Sequence, residues 1–360
     1  MTMKKLLYIT NGINGSGGLE RVLSVKASLL ADECGYDVSV LSPNHGHLNP
    51  FYQFSPKIKM LSIEVNGNPM KYIAKYRNGI QDTVNQIKPD IISVCDDGLK
   101  GFYLPRIIKT KAKWIYERHA SIQLNTSRGI KGKLIKILMQ KQASDFDAFV
   151  VLTPSNIREW TSDNVIAIAN PASFKTAEQS SLENKKVTAV GSHSYVKGYD
   201  TLLQVWKKVE SRYPDWELHI YGKIDQDKTF VKLASQLKLH NVLFHTPVKD
   251  IETKYLESSV MVLTSRSEGF GMVLIEAMEC GLPCISFDCP SGPRDIITHQ
   301  EDGFLIEDQN EKDFFNALTR LIGNRELRKQ MGMKAKENVQ RFSPEIIVKQ
   351  WDDLFRKLKA

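Results

Sequence analysis

Residues 265–283 read SRSEGFGMVLIEAMECGLP and carry two carboxylates, Glu268 and Glu276, eight residues apart. The apolar run VMVLTS leads into this stretch and PCISFD leads out of it, so the pattern predicts strand, glycine-containing loop, helix and strand. A helix that begins near Met272 places Glu276 about one turn in and leaves Glu268 in the loop, beside the positive end of the helix. A buried carboxylate is unfavourable unless it is hydrogen-bonded, so an inward Glu276 needs a partner. The hydroxyls of a ribose and a structural ion pair are the alternatives.

The same alternation of short apolar strands with helical patterns runs through the whole chain. Six strands are predicted before a polar, aperiodic linker at residues 171–186, and six more are predicted after it. Strands that alternate with helices indicate parallel sheets, so each half is predicted to be a doubly wound, Rossmann-like α/β domain. We expect the domains to span 1–172 and 173–342, and a last helix at 343–360 to pack back toward the first domain. Such domains imply a cleft, because open α/β sheets bind ligands beyond the carboxyl ends of their strands.

Length, composition and charge exclude several classes of protein. A chain of 360 residues favours two domains over one core, and no apolar run reaches the roughly 18 residues of a membrane span. The N-terminus lacks a signal-peptide pattern, and five cysteines without zinc spacing favour packing roles in a reducing cytosol. The net charge of +8 is concentrated, because eleven basic side chains face only two acidic ones between Lys100 and Asp145. That segment predicts an anionic partner.

Two further loops follow predicted strands. In TNGINGSGGLERVL, residues 10–23, Gly15, Gly17 and Gly18 precede a helix, which suits the approach of an anion to backbone N–H groups. A dinucleotide site is the weaker alternative, because the spacing differs from G-x-G-x-x-G. In AVGSHSYVKGYD, residues 189–200, Lys197 lies between a strand and a helix, where it suits a phosphate or is simply a solvated lysine.

Four motifs together resemble a known enzyme family. The run SRSEGFGMVLIEAMECGLPCISFDCPSGPRDII at 265–297 is similar to the E-x7-E region of retaining, nucleotide-sugar-dependent glycosyltransferases of family 4, which have the GT-B fold. SGGLERV at 16–22, ERHAS at 117–121 and VKGYD at 196–200 match the same family at suitable separations. The resemblance covers nearly the whole chain and is greatest to the branch that assembles bacterial surface polysaccharides.

The resemblance implies roles at the matched positions. The first domain would bind the acceptor and the second the nucleotide sugar. Glu276 would bind the ribose of the donor, Glu268 the transferred sugar near the reacting centre, and Lys197 the diphosphate. Further positions implied near the substrates are His119 beside the transferred sugar, Gly17 and Gly18 where the substrates approach the first domain, and the backbone of Gly269, Phe270, Gly271 and Met272.

One departure from the family concerns the diphosphate. The family usually has arginine at the position of Ser192, and the sequence offers Arg266 or His193 as a substitute. The expected reaction is retaining transfer of a hexose or N-acetylhexosamine, expected to be UDP-linked, to a glycan or lipid-linked acceptor of lipopolysaccharide or capsule type. The alternatives are another sugar-nucleotide enzyme of this fold, or a non-catalytic module that binds nucleotide sugars or membranes.

No metal or other cofactor is expected. CDDG at 95–98 lacks the D-x-D of metal-dependent transferases, so Asp96 and Asp97 are interpreted as a turn at a strand end. His119 is either a site residue or a hydrogen-bonded core histidine.

The basic segment contains one amphipathic pattern. In SRGIKGKLIKILMQKQ, residues 127–142, the apolar Ile130, Leu134, Ile137 and Leu138 lie near one helical face with lysines around them. This is either a solvated face of a core helix or a peripheral contact with an anionic membrane, which would place the protein at the inner face of the cytoplasmic membrane. Nucleic acid is excluded as the partner, because no aromatic residues interleave with the lysines.

Overall fold

The computed structural model describes residues 4–44, 48–126 and 129–359, and the chain divides into two compact units. Unit 1 comprises Met1–Ser173 and Pro344–Ala360, and unit 2 comprises Phe174–Ser343. Each unit contains its own parallel sheet with helices packed on it, so the predicted pair of Rossmann-like α/β domains is confirmed. No helix among the described residues is long and apolar enough to cross a bilayer.

Unit 1 is built on a sheet in which seven strands lie within the described part of the chain. The order is β3-β2-β1-β4-β5-β6-β7, and the neighbouring strands pair in parallel. The strands are β1 (Lys5–Thr10), β2 (Asp37–Pro43), β3 (Lys59–Ile63), β4 (Ile91–Cys95), β5 (Lys113–Glu117), β6 (Ala148–Val151) and β7 (Val165–Ala167). The helices before the linker are α1 (Gly18–Asp32), α2 (Pro69–Ile87), α3 (Leu104–Ile107), α4 (Ile130–Ala143) and α5 (Pro154–Ile157), with 3₁₀ turns at Lys100–Tyr103 and Ile122–Leu124.

Unit 2 repeats this architecture with a sheet of order β10-β9-β8-β11-β12-β13, again counted over the residues that the structure describes. Its strands are β8 (Lys186–Val190), β9 (Glu217–Tyr221), β10 (Val242–His245), β11 (Val260–Leu263), β12 (Cys284–Asp288) and β13 (Gly303–Glu307). Its helices are α6 (Tyr199–Arg212), α7 (Thr229–Gln236), α8 (Ile251–Leu256), α9 (Met272–Glu279), α10 (Pro293–Ile296), α11 (Glu311–Gly323) and α12 (Arg325–Asn338), with 3₁₀ turns at Tyr195–Lys197 and Val339–Phe342. The chain then continues into α13 (Pro344–Lys359).

The apolar strands are buried because helices cover both faces of the sheets. In unit 1, one core joins the sheet to α2 and α4, and the other joins it to α1 and α13. Helix α13 contributes Ile347, Trp351 and Phe355 to the second core, so the end of the sequence completes the domain that its beginning starts. Tyr36 from the loop before β2 also donates a hydrogen bond of 2.7 Å to Asp352.

Strand order reverses between β1 and β4 in unit 1 and between β8 and β11 in unit 2. Ligands of open α/β sheets bind at such switch points, outside the carboxyl ends of the strands. In each unit the predicted site residues lie in loops that follow these central strands or the strand beside them. The glycine loop follows β1 and His119 follows β5, while Lys197 follows β8 and Glu268 follows β11.

Candidate active site

Glu268 and Lys197 form an ion pair in unit 2. The Lys197 ammonium donates to Glu268 Oε1 at 2.6 Å, although 71 residues separate the two in the chain. Lys197 keeps 21% of its side chain exposed and Glu268 keeps 10%, so the pair lies at the protein surface but is partly shielded. Two residues that the sequence singled out separately are therefore brought into one cluster, and their opposite charges cancel.

Glu276 lies inside the helix that the sequence predicted. Helix α9 begins at Met272, and Glu276 is only 2% exposed one turn later. The partner that its burial demands includes Tyr255 of α8, whose hydroxyl donates to Glu276 Oε2 at 3.2 Å. The sequence did not identify Tyr255, because a fully buried tyrosine in a short helix carries no separate signal.

The loop between Glu268 and α9 is held from the next strand–helix junction. Gly271 caps α9 with a φ of 106°, and the Ser291 hydroxyl donates to the carbonyl of Glu268 at 2.7 Å. Gly292 has a φ of 97°, and a Cβ there would lie 2.1 Å from the carbonyl oxygen of Phe270. The serine and glycine that follow Pro290 thus fix the backbone that carries Glu268.

Arg266, the first substitute considered for the arginine missing at Ser192, is engaged elsewhere. Its guanidinium forms two hydrogen bonds with Asp200, at 2.9 and 2.7 Å, and stacks over Tyr195 with 4.1 Å between Cζ and the ring centroid. The hydrogen bond to Asp200 raises the pKa of Arg266. In this geometry Arg266 braces the segment 195–200 and thereby the turn that presents Lys197.

His193, the second substitute considered, is enclosed. Its ring lies edge-on to Tyr199, Phe230 and Phe244, with centroids 5.4–5.9 Å away, and its side chain is fully buried. Burial lowers the pKa of His193, which favours the neutral imidazole. Lys197 is therefore the better placed cation for an anion at the carboxyl end of β8.

In unit 1, the glycine loop lies against the carboxylate of Glu20. Gly17 is the N-cap of α1, and Gly18 is the first residue of that helix. A Cβ on Gly15 or Gly17 would lie 2.5 Å from a carboxylate oxygen of Glu20. The Glu20 side chain, in the first turn of α1, therefore extends back across the glycine loop. Glycine leaves room for this approach, since a Cβ at either position would displace the flexible end of the Glu20 side chain.

His119 lies just beyond β5, next to a buried ion pair. Glu117 accepts hydrogen bonds from the Lys26 ammonium and, at 2.6 Å, from the Ser93 hydroxyl, and both members of the ion pair are 1% exposed. The Nε2 atom of His119 is 3.5 Å from the same Glu117 oxygen that Lys26 contacts. Burial alone would raise the pKa of Glu117, but Lys26 and His119 outweigh it and bring it to about 2.

Among the described residues, one group has the spacing of metal ligands, namely Cys95, Glu117 and His119, whose ligand atoms lie within 4.8 Å of one another. The Lys26 ammonium already contacts this carboxylate. Burial, followed by the charge of Glu117, raises the pKa of the Cys95 thiol far above its usual range, whereas metals bind the thiolate. The donor set therefore does not fit a metal well.

The side chains of the two aspartates after β4 accept hydrogen bonds from backbone N–H groups, as predicted for a turn at a strand end. Asp96 accepts hydrogen bonds from the N–H groups of Gly98 and Gly101, at 2.7 and 3.1 Å. Asp97 Oδ1 accepts the N–H of His119 at 2.9 Å and so fixes the loop that carries this histidine.

Known proteins resemble this chain in sequence and in fold. Residues 173–338 match the family model described as glycosyl transferases group 1. An uncharacterised glycosyltransferase of Haemophilus influenzae is 31% identical, over 97% of this chain and 99% of its own length. The amylovoran biosynthesis glycosyltransferase AmsD of Erwinia amylovora is 30% identical, over 98% and 99% of the two chains. Anabaena HepE, solved in complex with UDP-glucose, has a TM-score of 0.78 with 16% identity, over 98% of this chain and 99% of HepE.

The two parallel-sheet units have the GT-B fold. Because the Haemophilus and Erwinia relatives match it over nearly their full lengths, the chain belongs to the group 1 glycosyltransferases.

The close approach of Gly292 to Phe270 yields a test of the loop. Gly292→Ala combines a left-handed backbone with a clash at 2.1 Å, so we expect a clear loss of thermal stability in unit 2. Gly281→Ala is the matched control, because its φ is also positive, at 73°, but the nearest atoms to the added Cβ lie 3.6 Å away. That control should lose only the ~1–2 kcal/mol of the left-handed conformation. Equal melting temperatures for the two variants would show that the contact does not constrain the loop.

Proposed function

We propose that this glycosyltransferase is a retaining enzyme that transfers a hexose or N-acetylhexosamine from a UDP-sugar to a glycan or lipid-linked acceptor in bacterial surface-polysaccharide assembly. The observation that carries the proposal is the Lys197–Glu268 ion pair next to the start of α9, with Glu276 buried one turn further on. The name of the Erwinia relative supports the polysaccharide, and the UDP-glucose complex of HepE supports the donor.

Lys197 would stabilise the leaving diphosphate. Phosphate oxygens are stabilised by a cation and by the free N–H groups of a helix N-terminus. The turn 195–197 that carries Lys197 follows β8, and the first turn of α9 follows β11, so both kinds of group occur beyond the carboxyl ends of these strands. Negative charge grows on the leaving group as the glycosidic bond breaks, so a fixed cation acts most strongly in the transition state. Arg266 supports this role indirectly, because its two bonds to Asp200 hold the segment that presents Lys197.

The two glutamates would bind different parts of the donor. Glu268 is partly exposed and already balanced by a cation, and its second oxygen has no donor among the described residues, so it can accept a sugar hydroxyl near the reacting carbon. Glu276 is deeply buried, and the Tyr255 hydroxyl on Oε2 restricts the orientation of its carboxylate. A carboxylate held in this way suits the paired hydroxyls of a ribose, which need two acceptors in fixed positions.

Substitution of each glutamate separates these roles. Glu276→Gln should weaken UDP binding by ~1.5–3 kcal/mol, because it removes a charge-assisted hydrogen bond. Glu268→Gln should lower turnover more than it weakens UDP binding. Calorimetric titration of UDP and measurement of donor-dependent UDP release check both variants. As a control, Glu217→Gln alters an exposed carboxylate at the opposite end of β9. Unchanged UDP affinity in Glu276→Gln would overturn its assignment to the ribose.

Metal independence is part of the proposal. Lys197 would supply the cation for the diphosphate, and Asp96 and Asp97 accept hydrogen bonds from backbone N–H groups. Activity should therefore persist in EDTA, with a rate within about twofold of the untreated enzyme. Complete loss in EDTA that Mn²⁺ or Mg²⁺ restores would contradict this expectation and return the two aspartates to consideration as ligands.

We further propose that α4 binds an anionic membrane surface, which would place the enzyme at the inner face of the cytoplasmic membrane. One face of α4 packs on the sheet through Gly132, Met139 and Ala143. The opposite face exposes four large apolar side chains, Ile130 (79%), Leu134 (61%), Ile137 (65%) and Leu138 (40%). A contiguous apolar patch of this kind is unusual on a monomer and indicates an interaction surface.

Charge determines the partner that this face would suit. Lys131, Lys133, Lys136 and Lys141 are exposed around the apolar stripe, which is the pattern of helices that lie in an anionic lipid interface. Arg128, which belongs to the same basic segment, lies outside the described residues. On the same side of the sheet, the start of α2 exposes Met70 (79%) and Ile73 (62%), which would extend the apolar contact.

Vesicle binding tests the membrane proposal. The protein should sediment with anionic liposomes at low salt and be released as salt screens the attraction. Replacing Lys131, Lys133 and Lys136 by glutamine should weaken binding on the order of a hundredfold, at ~1 kcal/mol for each lysine, and should leave UDP affinity intact. The matched control replaces the exposed Lys207, Lys208 and Lys238 of unit 2, which changes the net charge equally. Equal loss in both triple variants, or binding independent of lipid charge, would refute a specific contact.

A further inference from the structure

The buried cluster beside His119 has no assigned role in the transfer reaction. Glu117 ends β5, Lys26 comes from α1, Ser93 and Cys95 come from β4, and His119 follows β5 by two residues. At its other side, the Lys26 ammonium lies 4.1 Å from the ring centroid of Trp351 in α13 and 5.0 Å from that of Tyr8 in β1. Elements from across unit 1 thus converge on one carboxylate.

Donors surround Glu117. Ser93 donates to Oε1, and the Lys26 ammonium contacts Oε2. The buried Cys95 thiol lies within 4.8 Å of a carboxylate oxygen and stays protonated, because burial and the charge of Glu117 raise its pKa. A carboxylate without access to water stays ionised only when a cation and donors of this kind compensate for the loss of solvation.

The His119 imidazole is anchored through its backbone, but its ring lacks a hydrogen bond. Asp97 fixes the His119 N–H at 2.9 Å, while neither ring nitrogen has a hydrogen-bond partner within the described residues. The Glu117 carboxylate faces the ring, with Oε2 3.5 Å from Nε2. At this distance the contact is electrostatic rather than a short hydrogen bond. The ionised carboxylate still favours a hydrogen on the nitrogen that faces it.

We propose that Glu117 fixes the His119 ring with its hydrogen on Nε2 and that Lys26 keeps Glu117 ionised for this purpose. Nδ1, which is buried and has no hydrogen-bond partner among the described residues, is then left as the acceptor that the ring offers. Glu117 and Lys26 are positioning residues, because they act through His119. Their influence on turnover rests on the proposed transfer function, whereas the position of the hydrogen on the ring does not.

Nitrogen NMR tests the proposal without any assay of activity. In the ¹⁵N-labelled full chain, long-range ¹H–¹⁵N correlation spectra distinguish protonated from unprotonated ring nitrogens. Among the eight histidines, His119 is assigned as the signal missing from the His119→Gln variant. We expect Nε2 at a protonated shift and Nδ1 at an unprotonated shift in the neutral form. A wild-type spectrum with the hydrogen on Nδ1 would overturn the proposal before any variant of the cluster is made.

Variants test the cause of this preference. Glu117→Gln should turn the spectrum into a mixture of tautomers and lower kcat at least tenfold, with less than a threefold change in KM for the donor. Ser93→Ala is the matched control, because it removes a bond to the same carboxylate and leaves both the charge and the Nε2 contact in place. Lys26→Arg should keep the wild-type tautomer, since it retains the cation.

The outcomes separate the two proposals. Unchanged nitrogen shifts in a folded Glu117→Gln protein would overturn the positioning role, whatever the activity. A spectrum that changes as expected in a protein without transfer activity would leave the positioning intact and remove the proposed function instead. If Glu117→Gln does not fold, the wild-type spectrum and the Lys26→Arg comparison still decide the matter, because a shift toward the hydrogen on Nδ1 in either protein contradicts the proposal.

Discussion

Parallel strand pairing is the constraint on which the rest of the molecule depends. Two neighbouring parallel strands cannot be joined by a short turn, so the chain must cross over through a helix and return to the edge from which it started. All loops that run from a strand into a helix therefore lie at one edge of each sheet. His119 and the glycine loop lie at this edge of unit 1, and Lys197 and Glu268 lie at this edge of unit 2. Residues from remote parts of the sequence become neighbours without any contact that is specific to them.

Charge that is removed from water is compensated in two different ways. In unit 1 the Lys26–Glu117 pair is fully buried, and removal of one partner from such a pair typically destabilises a protein by ~3–5 kcal/mol. An apolar pair of similar volume is often at least as stable, so stability alone is a weak explanation for these charges. In unit 2 the Lys197–Glu268 pair keeps contact with solvent, so its charges lose less hydration. The buried pair holds its charges in one fixed arrangement, whereas the second pair leaves both charges accessible from solvent.

The sequence predicted the architecture better than the contacts. Apolar β-branched runs marked twelve strands, and the start of α9 at Met272 followed from the glycines before it. Strand β3 was missed, because KMLSI lies at the sheet edge with mostly polar or half-exposed side chains and so lacks a buried run. Lys26 left a readable signal, a lysine among the core positions of α1, but its partner 91 residues away did not. The engagement of Arg266 with Asp200 was equally invisible, because spacing in the chain does not reveal which charges meet.

Because α13 belongs to unit 1 but follows unit 2 in the sequence, unit 1 can be completed only after all of unit 2 has been synthesised. Unit 1 needs Pro344–Ala360, yet all of unit 2, Phe174–Ser343, is synthesised first. At elongation rates of ~5–20 residues per second, these residues take roughly 10–30 s to emerge, and during that time α13 is not available to pack on α1. The contact between Lys26 and Trp351 also forms only after this time, so the nascent first domain lacks part of its core until α13 emerges. A nonsense mutation at codon 344 would therefore spare every residue of the second unit and leave the first one without α13.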